Sequence, residues 1–390
     1  MYLIGIDISK FKHDCFIATE AGEVIKDSFS FENDAHGFSF LLSILKSLDS
    51  TQEKRIGMES TGHYGNNLMR FLHDNNFSFM VLNPYLTEKY RQATSLRKTK
   101  TDKIDAHIIS KMLLFLDYHT YSSKSYHISS LKSLTRFRFR MIEARTKLKV
   151  RVQNILDLTF PEFPKYFSNL FGVLPTRILS HYPSPTKLAQ VDINSVYDKL
   201  KEGIRGRYSF QKFTNLIHEA MNTIGKSNEN YELELLSSLR LIQNYNKEID
   251  TVQSQIEAIM HQYGFKILTI PGIGIQSAAV IISEYTDFNL FDNSDQMLSF
   301  AGLEPSVSQS GTQSFNGHMV KRGSPHLRYT LMNVATTVYR YNPTFSNYYY
   351  KKRNEGKYHR VALSHVVKKL LRVIYCLETK KQDFNPKLLK

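Results

Sequence analysis

Four carboxylates are spaced as a metal site would need. Asp7 lies within "GIDISK", Glu59 within "GMESTG", and Asp102 and Asp105 within "KTKTDKIDAHII". Asp7 sits among apolar strand residues, where a carboxylate is costly unless it is paired, hydrated or metal-bound. Asp102 and Asp105 stand three residues apart, so on a helix they share one face. Each acid also has an ordinary reading by itself. Asp102 near a helix start favours the helix dipole, Asp105 can pair with Lys103 or Arg97, and Glu59 can be a satisfied strand end. Jointly, four acids from three separate segments can converge. Oxygen donors without Cys or His support select Mg²⁺ or Mn²⁺. Two such ions about 3.5–4 Å apart activate a water and stabilise the leaving oxygen of a phosphodiester. Arg97, Lys98 and Lys100 directly precede the pair and would lie along a phosphate backbone.

The acids need a scaffold that brings their segments together. Residues 2–9, 14–19 and 24–31 read as three strands joined by short turns, an expected antiparallel meander. A helix is expected around 34–48, a strand over 55–60, a helix over 65–75 and a strand over 77–83, closed by Pro84. The last helix begins near Thr101, with Ile104, Ile108, Met112 and Phe115 on one expected apolar face. Three strands, helix, strand, helix, strand, helix is the element order of the ribonuclease-H-like fold. In that topology the first and fourth strands are neighbours, and the final helix crosses their ends.

Three regions follow from the patterning. Residues 1–125 form an expected α/β domain, 126–261 a helical, coiled-coil-like region with an insertion, and 262–390 a mainly α-helical third domain. In the middle, Leu134, Phe137, Met141, Ala144, Leu148 and Ile155 recur at helical spacing. So do Leu235, Ile242, Tyr245, Ile249, Val252, Ile256 and Ile259. Two such stripes fit an antiparallel pair within one chain or a coiled coil between chains. The Pro-rich, aromatic stretch 160–230 reads as short helices and loops. "ILTIPGIGIQSAAVIISE", residues 267–284, has a helix-hairpin-helix pattern. Gly272 and Gly274 would let backbone N–H groups approach a phosphate beside a helix N-terminus.

Composition bounds the partners. The 390 residues hold 51 Lys and Arg against 36 Asp and Glu, a net charge of +15. A polyanionic partner is expected, with nucleic acid ahead of anionic membrane. Residues 351–390 hold nine of those fifteen net charges. Val361, Leu363, Val366, Leu370 and Val373 recur there at helical spacing, so a folded basic helix is expected rather than a tail. No run of eighteen apolar residues occurs, so no membrane span is expected. The N-terminus lacks a signal-peptide layout. Two cysteines, Cys15 and Cys376, form no disulfide framework and suit the cytoplasm.

"GIDISK", "GMESTGHYGNNLMRFL", "VLNP" and "KTKTDKIDAHII" resemble the N-terminal domain of the DEDD-type insertion-sequence transposases. "IPGIGIQSAAVIISE", "FDNSDQMLSFAGLEPSVSQSG" and "GHMVKRGSPHLRYTLMNVA" resemble the same family's C-terminal domain. This family of recombinases includes bridge-RNA-guided members and pilin-gene invertases. The resemblance covers about residues 1–120 and 262–340. It implies a RuvC-like (ribonuclease-H-like) nuclease domain with Mg²⁺ held by Asp7, Glu59, Asp102 and Asp105. It also implies a catalytic serine, placed at Ser310 in "SQSG", with Ser308 the neighbouring candidate. That serine would attack a DNA phosphate and form a covalent phosphoserine link, with the acids supplied across a subunit interface. DNA, a guide RNA and a homodimer or homotetramer follow as implied partners.

The residue chemistry is compatible. A serine hydroxyl needs activation. His318 and His326 lie nearby in sequence without an obvious acidic partner, so no triad is visible, and a metal could supply activation instead. Ser310 precedes Gly311 in a polar, turn-rich run expected to be an exposed loop. Lys321, Arg322 and Arg328 follow and are expected to bind phosphate or form a solvated helix start. Two other functions compete: a metal-dependent junction endonuclease acting by hydrolysis, and a nucleic-acid-binding protein with an inactive nuclease domain. Four intact acids argue against the second.

Overall fold

The computed structural model describes residues 1–60, 62–82, 84–94, 102–116, 118, 124–203, 208–310 and 313–388, with the backbone alone at 85, 102, 124–127, 129, 306–310, 313–318 and 388. The chain divides into two compact units. The first is 1–130 with 285–292, and the second is 131–284 with 293–390.

In the first unit, β1 (Tyr2–Ile8), β2 (Lys12–Thr19), β3 (Val24–Glu32), β4 (Lys54–Glu59) and β5 (Phe79–Leu82) form one mixed sheet. Its order is β3-β2-β1-β4-β5. The first three strands are antiparallel, while β4 pairs parallel with both β1 and β5. α1 (Ala35–Ser47) leads from β3 to β4, and α2 (Asn66–Asp74) joins the parallel strands β4 and β5. They pack with Ile4, Ile6, Ile8, Ile17, Ile56 and Met58 in one core, through Leu41, Leu45, Leu68 and Leu72. A one-residue slip of β1 would turn Ile4, Ile6 and Ile8 out of that core. Each buried side chain of this size contributes about 1.5–3 kcal/mol, so the register is firmly set. The odd residues Gly5 and Asp7 therefore share the other face.

That face is covered by α4 (Asp102–Phe115). A methyl group added to Gly5 would overlap the Ala106 carbonyl oxygen and lie 2.5 Å from the Ser110 amide nitrogen. One added to Gly57 would lie 2.7 Å from Leu113 Cδ2. Two glycines on adjacent strands thus let the helix backbone rest on the sheet. Ser110 Oγ completes the seat by donating 3.1 Å to the Leu3 carbonyl.

This seating corrects the expected apolar stripe. Ala106, Ile109, Met112 and Leu113 are buried, whereas Ile104 and Phe115 are exposed. Close approach to glycine selects small residues at the contact, so the buried face is not the most hydrophobic one. A further helix, α3 (Pro84–Thr94), follows β5, in addition to the expected elements. Pro84 opens it, at the first-turn position where its missing N–H costs nothing.

In the second unit, α5 (Lys124–Thr159), which begins in the first unit, pairs antiparallel with α10 (Glu229–Tyr263). Arg145 Nη1 donates 2.7 Å to Asn246 Oδ1 and Arg151 Nε donates 2.5 Å to Glu234 Oε1. The two stripes thus meet within one chain. Leu235, Ile242, Ile249, Val252 and Ile256 are buried as expected, but Phe137 is exposed. Between them lie α6 (Val173–His181), α7 (Pro185–Ala189), α8 (Ile193–Lys201) and α9 (Phe210–Asn222). Phe163, Ile178, Phe213 and Leu216 of this insertion share a core with Ile155 and Leu239 of the long pair.

The rest of the unit comprises α11 (Ile275–Tyr285), α12 (Ser294–Phe300), β6 (Pro305–Ser310), β7 (Gln313–Met319), α13 (Pro325–Tyr341), α14 (Pro343–Asn354) and α15 (His359–Lys380). α13 packs on α14 and α15. The basic C-terminal segment is folded as expected: Leu363, Val366, Leu370 and Val373 are buried, though Val361 is exposed. Ahead of α11 the expected first helix of the hairpin is only a 3-10 turn, Lys266–Thr269. Among the described residues no helix is long and apolar enough to cross a membrane.

Candidate active site

β1 and β4 end side by side in the parallel pair, with Ile6 opposite Met58. Asp7 and Glu59 are the next residues of each strand. Asp7 stands two residues after Gly5, and Glu59 two after Gly57, so both share the face on which α4 rests. The helix runs opposite to β1: Ser110 lies over Leu3 and Ala106 over Gly5. Its first turn, with Asp102 and Asp105, therefore lies towards the strand ends that carry Asp7 and Glu59.

The side chains bear this out for two of the acids. Glu59 and Asp105 line one small cavity of about 30 Å³, together with Thr87, Glu88, Arg91, Ile108 and Ile109. Thr87 Oγ1 donates 2.7 Å to Glu59 Oε2 and also 2.9 Å to the Pro84 carbonyl. Arg91 Nη1 lies 3.4 Å from Asp105 Oδ1, and Arg91 also pairs with Glu88. Thr87 and Arg91 are thus part of the site, and both come from α3. Their signal was the Pro84 helix start followed by one turn to Thr87 and another to Arg91.

All the polar groups lining this cavity carry oxygen or guanidinium nitrogen; no Cys or His contributes. Such a donor set suits a hard divalent cation. Among the described residues no three His, Cys, Asp or Glu side chains are gathered tightly enough to hold a metal ion. Arg97, Lys98 and Lys100 lie outside the described residues.

In the second unit the expected loop at Ser310 is instead a β-hairpin. Ser310 ends β6 opposite Gln313, and Ser308 is opposite Phe315. Residues 307–310 of "SVSQS" pair in succession as a strand, which its polar, turn-like composition concealed. At the hairpin base Val320 N donates to the Glu304 carbonyl and Lys321 N to that of Gly302. Lys321 adopts a left-handed backbone, φ 54°, and is exposed, as is Arg322. Arg328 spends one donor on the Ala301 carbonyl at 3.1 Å.

Gly272 has φ +96°, and a methyl there would lie 3.0 Å from Val338 Cα of α13. Packing therefore already requires that glycine. At Gly274 nothing lies within 4 Å of an added methyl, so the start of α11 is open on that side. The turn is anchored from behind, where buried Glu378 accepts 2.8 Å from the Ile267 amide.

One buried ion pair of the second unit escaped sequence reading. Glu284, at the end of α11, is 1% exposed and accepts 2.7 and 2.9 Å bonds from Arg136 of α5, with Lys132 at 3.6 Å. Burial pushes its carboxyl up, but the Arg136 hydrogen bonds and the Lys132 charge outweigh this and hold it below the usual carboxylate range. Glu284 and Arg136 are 148 residues apart, so no local pattern joins them. His326 sits near this pair against Phe139, ring centroids 4.7 Å apart. Burial lowers its pKa, and the neighbouring Glu284 charge partly opposes that.

Two family models match the chain: a DEDD transposase model over residues 4–161, and the model described as "Transposase IS116/IS110/IS902 family" over 266–350. The chain belongs to this transposase family. Three relatives align over nearly the whole chain. The uncharacterized 44.8 kDa protein of insertion element IS116 from Streptomyces clavuligerus is 22% identical, over 98% of this chain and 96% of its own length. A putative transposase for the IS117 mini-circle from Streptomyces coelicolor is 22% identical over 96% and 94%. The pilin gene-inverting protein of Moraxella bovis is 22% identical over 99% and 98%. The two transposase family models together span the segments that carry the four acids and the segment that carries the β6–β7 hairpin.

Proposed function

We propose that this protein is a DNA transposase or site-specific recombinase whose first unit is a RuvC-like, ribonuclease-H-like nuclease domain. The observation that carries the reading is the shared cavity of Glu59 and Asp105, with Asp7 on the same face of the adjacent strand. These acids and Asp102 would hold Mg²⁺ or Mn²⁺, which lowers the pKa of a bound hydroxyl and stabilises charge on the scissile phosphate. The strand order and the placement of α4 across β1 support this fold assignment.

The nucleophile is Ser310 Oγ. It loses its proton as it attacks the phosphorus of one DNA strand; the bond from phosphorus to the deoxyribose oxygen breaks, and that oxygen takes up a proton, so none is gained or lost overall. One phosphodiester is exchanged for one phosphoserine ester, so strand exchange can reverse the step without another energy source. The hairpin holds Ser310 at a strand end, where it can be presented to a duplex. Exposed Lys321 and Arg322, the open start of α11 and the basic C-terminal helix supply phosphate contacts. A structured guide RNA and a homodimer or homotetramer complete the reading, because an exchange that cuts four strands needs several active sites.

The test is a denaturation-resistant protein–DNA adduct. It should form with Mg²⁺, vanish in Ser310→Ala and fail in Asp102→Asn. Peptide mapping of the adduct separates Ser310 from Ser308. Cleavage that survives unchanged in Ser310→Ala and Ser308→Ala would instead identify a hydrolytic junction nuclease. Cleavage intact in Asp102→Asn refutes the metal site. Sequencing the nucleic acid that copurifies decides whether an RNA guide is used.

A further inference from the structure

Asp14 stands directly opposite Asp7 in the antiparallel β1–β2 ladder. Opposed residues share a face, so Asp14 lies on the side of the sheet that carries α4. Its neighbours confirm this: Phe16, two residues on, packs against His107 of α4 at 4.5 Å between ring centroids. On the adjoining strand, Ser28 Oγ reaches the Lys103 carbonyl at 3.4 Å in the first turn of that helix. Asp14, Asp7 and Glu59 thus form a row across three neighbouring strands, at the end of the sheet where α4 begins.

Asp14 is also 1% exposed. Its Oδ1 accepts a 2.6 Å bond from Ser30 Oγ. Its Oδ2 is buried and accepts no hydrogen bond. The Lys12 ammonium forms an ion pair with Oδ2 at 3.8 Å, too long for a hydrogen bond, and Lys12 is itself exposed. A buried carboxylate oxygen left in this way is costly, and two like charges directly opposite on a ladder destabilise it. A cation beside the pair removes both costs.

We infer that Asp14 is a fifth carboxylate of the cation site, holding a divalent ion beside Asp7 directly or through one of the ion's waters. Mg²⁺ keeps several waters when it binds protein, so a carboxylate that lies too far for direct ligation still contributes. Ser30 fixes the carboxylate by holding Oδ1, which leaves Oδ2 for the ion or its water. This inference rests on the proposed metal site and adds a residue to it.

The test is Mn²⁺ binding to the full-length protein, read by calorimetry and by electron paramagnetic resonance of free Mn²⁺, with no DNA present. Asp14→Asn should weaken binding about tenfold, the lower end of the loss seen when outer ligands of metal sites are removed. Asp14→Glu should retain most of the affinity. In chelator the melting temperature of Asp14→Asn should equal or exceed that of the parent, because a like-charge opposition is gone. If Asp14→Asn fails to fold, Lys12→Gln serves, since Lys12 is exposed; removing its competing charge should tighten Mn²⁺ binding at least twofold. Affinity within twofold of the parent in Asp14→Asn, or in Lys12→Gln where that variant serves, overturns the inference. If Asp7→Asn abolishes binding in that case, the metal site itself stands. Absence of Mn²⁺ binding to the parent overturns both.

Discussion

Replacing Gly5 by Ala tests whether α4 is seated on β1 as described. The added methyl would overlap the Ala106 carbonyl oxygen and lie 2.5 Å from the Ser110 nitrogen, whereas ordinary contact begins at 3.4 Å. Both obstructing atoms are backbone, so no rotamer change relieves them. The helix must lift by about 1 Å, and overpacking of this kind costs about 1–3 kcal/mol. For a unit of this size the melting temperature should fall by about 3–10 °C. The lifted segment carries Asp102 and Asp105 in its first turn. A displacement near 1 Å at a catalytic group lowers rate by about 100-fold. Thermal unfolding by circular dichroism and single-turnover cleavage of element-end DNA measure the two effects. Gly274→Ala is the control for melting alone: nothing lies within 4 Å of its added methyl, and its cost as a helix-start residue stays below about 1 kcal/mol. A Gly5→Ala protein that melts within about 1 °C of the parent and cleaves at the parental rate would refute the seating.

Arg136→Ala removes both hydrogen bonds to a carboxylate that is 1% exposed, while Arg136 itself is half exposed and Lys132 remains beside Glu284; the loss should cost about 1–2 kcal/mol, measured by urea unfolding. The same pair gives a pH signature. Glu284 is held below its unfolded pKa of about 4.3, so its stabilisation is fully present above that value and is lost as pH falls through the lower folded value. Between pH 5 and 3 the melting temperature of Glu284→Gln should therefore fall less steeply than that of the parent; equal slopes would dismiss the pair as a source of acid sensitivity. Thr87→Val deletes the hydroxyl 2.7 Å from Glu59 Oε2 while keeping its shape, and should slow cleavage about tenfold with little change in melting temperature; an unchanged rate would remove Thr87 from the site. DNA affinity should fall linearly on a log–log salt plot, and Arg322→Gln should reduce the slope by about 0.9 if Arg322 contacts a phosphate.

The sequence by itself determined the order of the five strands and of α1, α2 and α4 in the first unit. Alternating Ile4, Ile6 and Ile8 fix a period-two strand, and their burial forces Asp7 onto the opposite face. It also determined that α10 and α15 present one apolar stripe each, because a 3.6-residue period needs only local spacing. α3 was legible in principle from Pro84, yet a proline that can close a strand can equally open a helix. What only the tertiary structure decided was which side chains meet. The buried face of α4 depends on Gly5 and Gly57, which lie on other elements, so hydrophobicity within the helix could not identify it. Arg91 meets Asp105, Asp14 opposes Asp7, and Arg136 reaches Glu284 across 148 residues. Such pairings arise from strand register and helix packing. Residue type and spacing mark a carboxylate as able to bind a cation, but the fold sets which other charges stand beside it.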